Sequence, residues 1–281
     1  MNKNEPSVCA SRDPSRFGPA TGLESSRPSA KPIPHFWLKE KESFRRILAA
    51  IGRGDVRTIV SIVIRRLYSD ENCVGLRRDL ALYFQPPESR KPICIRPLRE
   101  EDLGIILDTK APGVTKEGLL YRERRRKEFQ AGVKTCYVAA TADGDRPCYL
   151  QWLIGPEENA KLQALFEGEF PVLRPGEMIM ERAFTLEPYR GCGIMASAMA
   201  RIAEKGKEAG GRWVMTFVDE DNIAALKGCH QAGFEPFLIR KEKWRLFRRS
   251  FSFEALPGKG PEAPGAESFS KPSRPEAGSG R

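Results

Sequence analysis

The stretch from residue 178 to residue 210 constrains the fold more than any other part of this chain. Apolar residues alternate up to Leu186, a turn of sequence Arg-Gly-Cys-Gly follows at 190–193, and apolar residues then recur at helical spacing. Glycine lets the backbone approach a ligand closely, and the first N–H groups of a helix have no partner within it. A strand, a glycine turn and a helix in this order therefore predict a site for a phosphate group.

The charge balance agrees with an anionic ligand. The 281 residues include 47 Lys and Arg against 37 Asp and Glu, which gives a formal net charge of +10. Such an excess favours a phosphorylated cofactor, a nucleic acid or an acidic membrane face, and it does not choose among them.

The cysteine and histidine content points away from disulfides and metals. The seven cysteines are an odd number without a C-x-x-C pair, and there are only two histidines. We therefore expect no disulfide framework, no metal site and a reducing compartment. The N-terminal residues lack the apolar segment of a signal peptide, and the longest aliphatic run, 59–64, is too short to span a bilayer. These features predict a cytoplasmic protein without a transmembrane segment.

Composition and periodicity divide the chain into four predicted segments. They are a disordered N-terminal segment (1–34), a helical extension and linker (35–90), a globular α/β domain (91–254) and a disordered C-terminal tail (255–281). In the second segment a helical pattern runs from 36 to about 68. A helical hairpin packed on the domain is the simpler interpretation of it, and a membrane-surface or partner helix is the alternative.

Alternation and turn signals predict the regular elements of the domain. We expect strands at 93–98, 134–141, 146–154, 177–186, 214–218, 237–239 and 244–253, and helices that begin at 99–102 or span 116–130, 157–167, 193–209 and 223–232. The Asp-Gly pair between the second and third of these strands is typical of a β-hairpin, so we expect them to pair in antiparallel fashion.

The glycine turn admits two interpretations, of which the first is a dinucleotide site. Residues 191–196 satisfy the pattern G-x-G-x-x-A, and Asp219 lies roughly twenty residues further on, near the end of a strand. This pattern is typical of an oxidoreductase. However, a doubly wound domain needs further β-α units after Asp219, and only one short helix and a hairpin-like end remain.

The second interpretation uses more of the sequence. The segment Leu-Glu-Pro-Tyr-Arg-Gly-Cys-Gly-Ile at 186–194 resembles the acyl-CoA-binding motif of the GNAT superfamily of N-acyltransferases, whose core form is [QR]-x-x-G-x-[GA]. Arg190 and Gly193 match this form, and Met195 stands where a small residue is usual. Downstream, Asn-Ile-Ala-Ala at 222–225 and Gly-Phe at 233–234 resemble the N-x-x-A…G-F segment of that family.

The resemblance implies an α/β fold of the α+β type, with a GNAT-like mixed, mostly antiparallel central sheet flanked by helices. It also implies an N-acetyltransferase: acetyl-CoA would donate the acyl group to an amine of a small-molecule or peptide acceptor, by direct attack in a ternary complex. Amides at 191–196 would bind the diphosphate of the coenzyme. The residues implied in coenzyme binding are Phe184, Thr185, Leu186, Arg190, Gly191, Cys192, Gly193, Ile194, Met195, Ala196 and Asn222.

Two residues are candidates for the acid and base chemistry. Family members often place a glutamate on the strand before the turn, and Glu181 is an acid on a strand that is otherwise largely apolar. Glu177 and Glu187 are alternatives, and an ion pair with a nearby arginine would be a structural role for any of them. Cys229 stands where the family usually has a tyrosine that protonates the leaving thiolate. A thiol could donate this proton, but Cys229 could equally be an apolar helix residue.

Two other functions stay open. Because the tyrosine is missing, the chain could be a catalytically weak or inactive CoA-binding or regulatory module of the same fold.

Residues 241–249 interleave basic and aromatic side chains, as in proteins that bind single-stranded nucleic acid. Alternation in a final strand also gives one buried and one exposed face, so we expect no specific nucleic-acid partner.

Overall fold

A computed structural model of the chain describes residues 56–111, 113–130 and 135–257. The predicted disordered segment 1–34, the first half of the predicted helical hairpin and nearly all of the C-terminal tail lie outside the described residues.

The described chain folds around one sheet of eight strands, which helices cover on both faces. The strands are β1 (Tyr68–Asp79), β2 (Ile93–Pro97), β3 (Cys136–Thr141), β4 (Pro147–Ile154), β5 (Glu177–Thr185), β6 (Trp213–Asp219), β7 (Glu235–Arg245) and β8 (Arg248–Ala255). The helices are α1 (Val56–Leu67), α2 (Glu100–Ile106), α3 (Lys116–Gln130), α4 (Asn159–Phe166), α5 (Ile194–Glu208) and α6 (Ile223–Gln231).

The strand order is β2-β3-β4-β5-β6-β1-β7-β8. Neighbouring strands are antiparallel except for β5 and β6, which pair in parallel because α5 crosses between them. The predicted mixed, mostly antiparallel sheet flanked by helices is therefore confirmed. Among the described residues, no helix has both the length and the apolar character that crossing a bilayer requires.

Each face of the sheet has its own apolar core. On one face α5 buries every position that its helical spacing singled out, namely Ile194, Ala198, Met199, Ile202 and Ala203, and α6 packs beside it. On the other face α2, α3 and α4 pack over an aromatic cluster that includes Trp152, Phe166 and Phe217. The strand–turn–helix unit thus lies in the middle of the molecule, with its helix on the first face.

Strand β1 corrects the predicted organisation of the N-terminal part. Residues 68–79 were expected in the helical extension and linker, yet they form a strand between β6 and β7. The sequence of β1 does not show the apolar–polar alternation of a strand, because a charged residue stands at a buried position. Arg78 is buried, and its guanidinium donates to Ala200 O at 3.0 Å and also pairs with Glu204. Only the second half of the predicted helical pattern lies in the described residues, and it corresponds to α1.

The last hairpin also differs from its prediction. The expected strand 244–253 is interrupted by a turn at Leu246 and Phe247, whose φ angles are 47° and 64°. No glycine, asparagine or proline marks this turn in the sequence, and these are the residues that usually signal one.

Gly233 provides a test of how the segment after β1 is fixed to the domain. It has φ of 84°, and a Cβ there would lie 2.7 Å from the ring of Phe84. Gly168 has a similar φ of 82° with open space around it. Because Gly233→Ala adds a steric clash to the backbone strain, we expect it to lower the free energy of unfolding by about 2–4 kcal/mol, against about 1 kcal/mol for Gly168→Ala. Urea denaturation measures both, and equal losses would contradict the role of Phe84.

Candidate active site

Strands β5 and β6 separate towards their C-terminal ends. Their parallel pairing covers only three residues of each strand and stops at Ile179 and Met215. Beyond that point β5 stays paired with β4 as far as Thr185, and β6 stays paired with β1 as far as Asp219. A gap therefore opens in the middle of the sheet, at the end where β5 leads into the glycine turn.

A β-bulge in β5 accounts for this separation. The register between β4 and β5 shifts between Leu150 and Trp152, and Arg182 adopts the left-handed φ of 64°. An extra residue in one strand bends that strand away from its former direction. Helix α3 holds the bulge, since the hydroxyl of Tyr121 donates to Arg182 O at 2.9 Å and its ring stacks on Phe184 at 4.0 Å.

Glu181 bridges the gap between the two strands. Its Oε1 accepts a hydrogen bond from Phe217 N of β6 at 3.0 Å, and only 7% of the residue is exposed. Burial raises the pKa of its carboxyl to about 7, although the charge of Arg182 and the Phe217 amide oppose this shift. A carboxyl group with such a pKa takes up and releases a proton near neutral pH, as a general base must.

The two alternative acids have other roles. Glu177 lies at the closed end of β5, where its Oε2 accepts from Arg174 N at 2.9 Å. Glu187 accepts two hydrogen bonds from the buried guanidinium of Arg122, at 2.9 and 2.7 Å, and these hold the pKa of its carboxyl below the usual value. Of the three candidates, the structure brings only Glu181 into the gap.

The glycine turn faces solvent. Gly191 and Gly193 are exposed, and both have φ of 74°, a conformation that other residues adopt only under strain. The first hydrogen bond of α5 runs from Ser197 N to Gly193 O at 3.2 Å, so helix geometry leaves the preceding amides of the helix without a partner within it. These amides meet the positive end of the helix dipole, which is the geometry that binds anions.

Cationic side chains surround the turn. Arg190 is half-exposed, and its Nε donates to Thr185 O at 3.2 Å, which holds the guanidinium between the end of β5 and the turn. The segment before β2 also approaches, because Arg90 N donates to Cys192 O at 2.9 Å. The Lys91 ammonium lies 5.0 Å from the ring centre of Tyr189. Arg190 also lies 3.6 Å from Glu187, and both glycines of the turn stay exposed beside these cations.

The predicted coenzyme-binding residues differ in what they can offer. Ile194 and Ala196 are buried, so only their backbone faces the turn. Met195 packs on α6 at Gly228, where a Cβ would lie 3.2 Å from its sulfur, and this space accommodates the larger residue at a usually small position. Leu186 donates to Cys148 O and accepts from Tyr189 N, so its backbone amide is not free to bind the coenzyme.

The downstream motif owes much of its pattern to folding. Asn222 is the N-cap of α6, and its Oδ1 accepts from Ala225 N at 3.2 Å, which explains why an asparagine begins the N-x-x-A segment. Cys229 is 1% exposed and lies between α5 and α6, with its sulfur 3.8 Å from that of Met199. Burial raises the pKa of its thiol to about 12, so the thiol is protonated at neutral pH.

Sequence reasoning missed the residues of α3 that support the site. A dense charge run such as that of α3 is typical of a solvated face, but Arg122 and Arg125 are buried. Arg122 secures Glu187, just before the turn, and Arg125 pairs with Glu128. Nothing local distinguishes these arginines from their exposed neighbours, because the acids and rings that they contact are distant in sequence. Within the described segments, no cluster of three His, Cys, Asp or Glu side chains could hold a metal ion.

Comparisons with known proteins gave results for solved structures only. No family model matches the sequence, and no curated protein matches it. Similar structures include a GCN5-related N-acetyltransferase from Sphaerobacter thermophilus (14% identity, TM-score 0.38) and an acetyltransferase of the GNAT family from Colwellia psychrerythraea (12%, 0.43). They also include the GCN5-related glucosamine N-acetyltransferase region of a fungal multi-domain GH3 beta-N-acetylglucosaminidase (14%, 0.46).

These proteins belong to the family that the sequence motifs resemble. The matches cover 67%, 70% and 63% of this chain, in the same order. They span 57%, 60% and 21% of the respective solved chains, so this chain corresponds to part of each of them.

The raised pKa of Glu181 predicts a pH dependence of stability. Between the ordinary carboxyl pKa of 4.5 and about 7, the unfolded chain ionises Glu181 while the folded protein retains the proton, so ionisation favours unfolding. Glu181→Gln removes this effect. Relative to the wild type, its free energy of unfolding should therefore rise by up to about 3 kcal/mol from pH 4.5 to pH 7. Urea denaturation across this range measures the difference.

Glu187→Gln is the matched control, with the opposite sign. Its folded pKa lies below the usual value, so its ionised form stabilises the fold above the unfolded pKa and this stability is lost as pH falls. The variant should therefore become less stable relative to the wild type as pH rises towards about 4.5, and the difference should then stay level up to pH 7. A parallel trend in the two variants would show that the environment of Glu181 is misassigned.

Proposed function

We propose that the chain is an acyl-CoA-dependent N-acyltransferase of the GNAT type, which transfers acetyl from acetyl-CoA to an amine. One observation carries the proposal: the gap between β5 and β6 opens beside the glycine turn of α5 and contains the carboxyl of Glu181. An anion site, a cleft in the sheet and an acid with a pKa near neutrality are the three parts that this reaction needs.

The coenzyme would bind along the end of β5 and across the turn. Amides from Gly191 to Ala196 would hold the diphosphate, and Arg190 would add a charge-assisted hydrogen bond. Leu186 donates its amide to β4, and successive residues of a strand direct their amides to opposite sides. The amide of Thr185 therefore points away from β4, towards the gap, where it could stabilise the oxyanion of the thioester.

The proposed reaction is a direct transfer of the acetyl group from the thioester to the amine. The neutral amine attacks the thioester carbonyl, so that a C–N bond forms, and the C–S bond breaks as the tetrahedral intermediate collapses. Glu181 takes the proton from the amine, directly or through water. The CoA thiolate departs and collects a proton afterwards, so an acid is not obligatory. The role of Cys229 as that acid stays a prediction. Its thiol contacts the sulfur of Met199 between the two helices.

The alternatives receive less support. A doubly wound dinucleotide domain has a parallel sheet, whereas the described sheet contains a single parallel pair and continues after β6 with antiparallel strands. A CoA-binding module without activity would explain the turn and would leave Glu181 as the partner of Phe217 N; the pKa of about 7 favours the catalytic role. The acceptor is proposed to be a small-molecule or peptide amine, and the protein is proposed to act in the cytoplasm.

Binding of acetyl-CoA tests the site. We expect saturable binding in isothermal titration calorimetry, and a loss of about tenfold in affinity for Arg190→Ala, because a charge-assisted hydrogen bond to phosphate is removed. Arg201→Ala, an exposed arginine on α5, serves as the control and should bind like the wild type. The proposal fails if acetyl-CoA does not bind, or if NAD(P) binds in its place.

Thiol release from acetyl-CoA, followed across a panel of amines, tests the chemistry. Expressed per neutral amine present, the rate should rise with pH to a plateau above about 7, and Glu181→Gln should lower it by about 10²–10³-fold and abolish this rise. Cys229→Ala should mainly cost stability, about 1–2 kcal/mol, because it leaves a small cavity. A large rate loss in that variant, restored by serine, would instead assign the acid role to Cys229. Coenzyme binding without thiol release would identify a binding module.

A further inference from the structure

Helix α1 and the tip of the β7–β8 hairpin present one continuous apolar surface. On α1 the exposed apolar residues are spaced four, four and three positions apart, which places them on one side of the helix. Ile62 and Val63 of α1 are half-buried. The residues of this surface, the apolar patch, are 38–76% exposed: Val56, Val60, Ile64, Leu67, Tyr68, Leu246 and Phe247.

Backbone hydrogen bonds join the two parts of the apolar patch. Leu246 N donates to Leu67 O at 2.9 Å, and Phe247 N donates to Arg66 O at 2.8 Å. These carbonyls belong to the last turn of α1, where helix geometry leaves them without an intrahelical partner. The hairpin tip is therefore fixed to the end of the helix, and its two exposed side chains extend the apolar patch.

Basic residues occur beside the apolar patch; the guanidinium of Arg245, for example, lies 3.8 Å from the ring centre of Tyr68. They form a basic rim that consists of Arg57, Arg65, Arg66, Arg245 and Arg248. Arg57 and Arg248 are exposed, and α1 itself contains no acidic residue. Two acids lie close to the rim: Glu71 pairs with Arg65 at 2.6 Å, and Asp70 pairs with Arg245 at 2.8 Å. The rim thus keeps an excess of positive charge.

We propose that the apolar patch docks on the surface of an anionic membrane. A helix with an apolar stripe and flanking arginines lies in the plane of the lipid headgroups, where the stripe enters the acyl boundary and the arginines reach the phosphates. Each basic residue near such a surface strengthens the binding. A protein partner fits less well, because it would have to bury this positive charge with matching acids.

The position of the patch relates it to the candidate active site. Cys73 of β1 pairs with Asp219 at the C-terminal end of β6, so residues 68–72 extend beyond that end and pair with β7 alone. The C-terminal end of β6 is also where it separates from β5. The apolar patch and the gap are therefore at the same end of the sheet, and the docking proposal stands independently of the proposed reaction.

Flotation of the full chain with lipid vesicles tests docking. We expect binding to phosphatidylcholine vesicles that contain about 30% phosphatidylserine, little binding to phosphatidylcholine alone, and weaker binding as salt rises. Val60→Asp with Ile64→Asp should reduce the partition coefficient at least tenfold, because each replaces an exposed apolar side chain with a charged one. Val172→Asp, another exposed apolar position, should bind like the wild type.

A second pair of variants isolates the charge contribution. Arg57→Glu with Arg248→Glu should weaken binding to the anionic vesicles about tenfold or more, whereas Arg201→Glu on α5 should not. All substituted side chains are exposed, so the midpoint temperature of thermal unfolding of each variant should stay close to that of the wild type. Equal binding to both kinds of vesicle, no binding to the anionic vesicles, or self-association that Val60→Asp with Ile64→Asp abolishes would overturn the proposal.

Discussion

The bend in β5 at Arg182 is the constraint on which the rest of the site depends. A regular strand would have continued its pairing with β6, and the sheet would have closed over the position of Glu181. Because the extra residue turns β5 aside, pairing stops at Ile179 and a cleft opens within the core of the domain. Tyr121 holds the bend from α3, and the Arg122–Glu187 pair fixes the chain where it leaves β5 for the turn.

Separating two central strands leaves backbone groups that need partners, and the structure meets this need with a side chain. The amide of Phe217 would face an empty cleft, and it donates to Glu181 instead. That bond favours the ionised carboxylate, while burial favours the neutral acid and has the larger effect. The contact thus stabilises the open sheet, while burial raises the pKa of Glu181 to about 7. Acetyl-CoA in the cleft would place its own polar groups beside these.

Local patterns in the sequence were sufficient for the parts of the fold that depend on local physics. The alternation of β5, the glycines at 191 and 193, the apolar positions of α5 and the capping asparagine of α6 each depend on neighbours within a few residues. Glu181 stood out because an acid on an apolar strand is expected to be buried, which costs free energy unless the carboxyl has a partner. The residues that were missed depend on distant partners. Arg122 is an ordinary helix residue until Glu187, 65 residues away, is placed beside it.

The insertion of β1 between β6 and β7 has a consequence for how the chain folds. The thiol of Cys73 contacts Asp219 and Arg240, which lie 146 and 167 residues further along the chain. Until β1 has paired with both β6 and β7, the five strands from β2 to β6 are not joined to the final hairpin of β7 and β8. Contacts of such long range slow folding, since the loop must be closed before any pairing is gained. During synthesis the sheet therefore cannot be completed until β7 and β8 have been made. Until then, β1 has an edge that is not paired with β7.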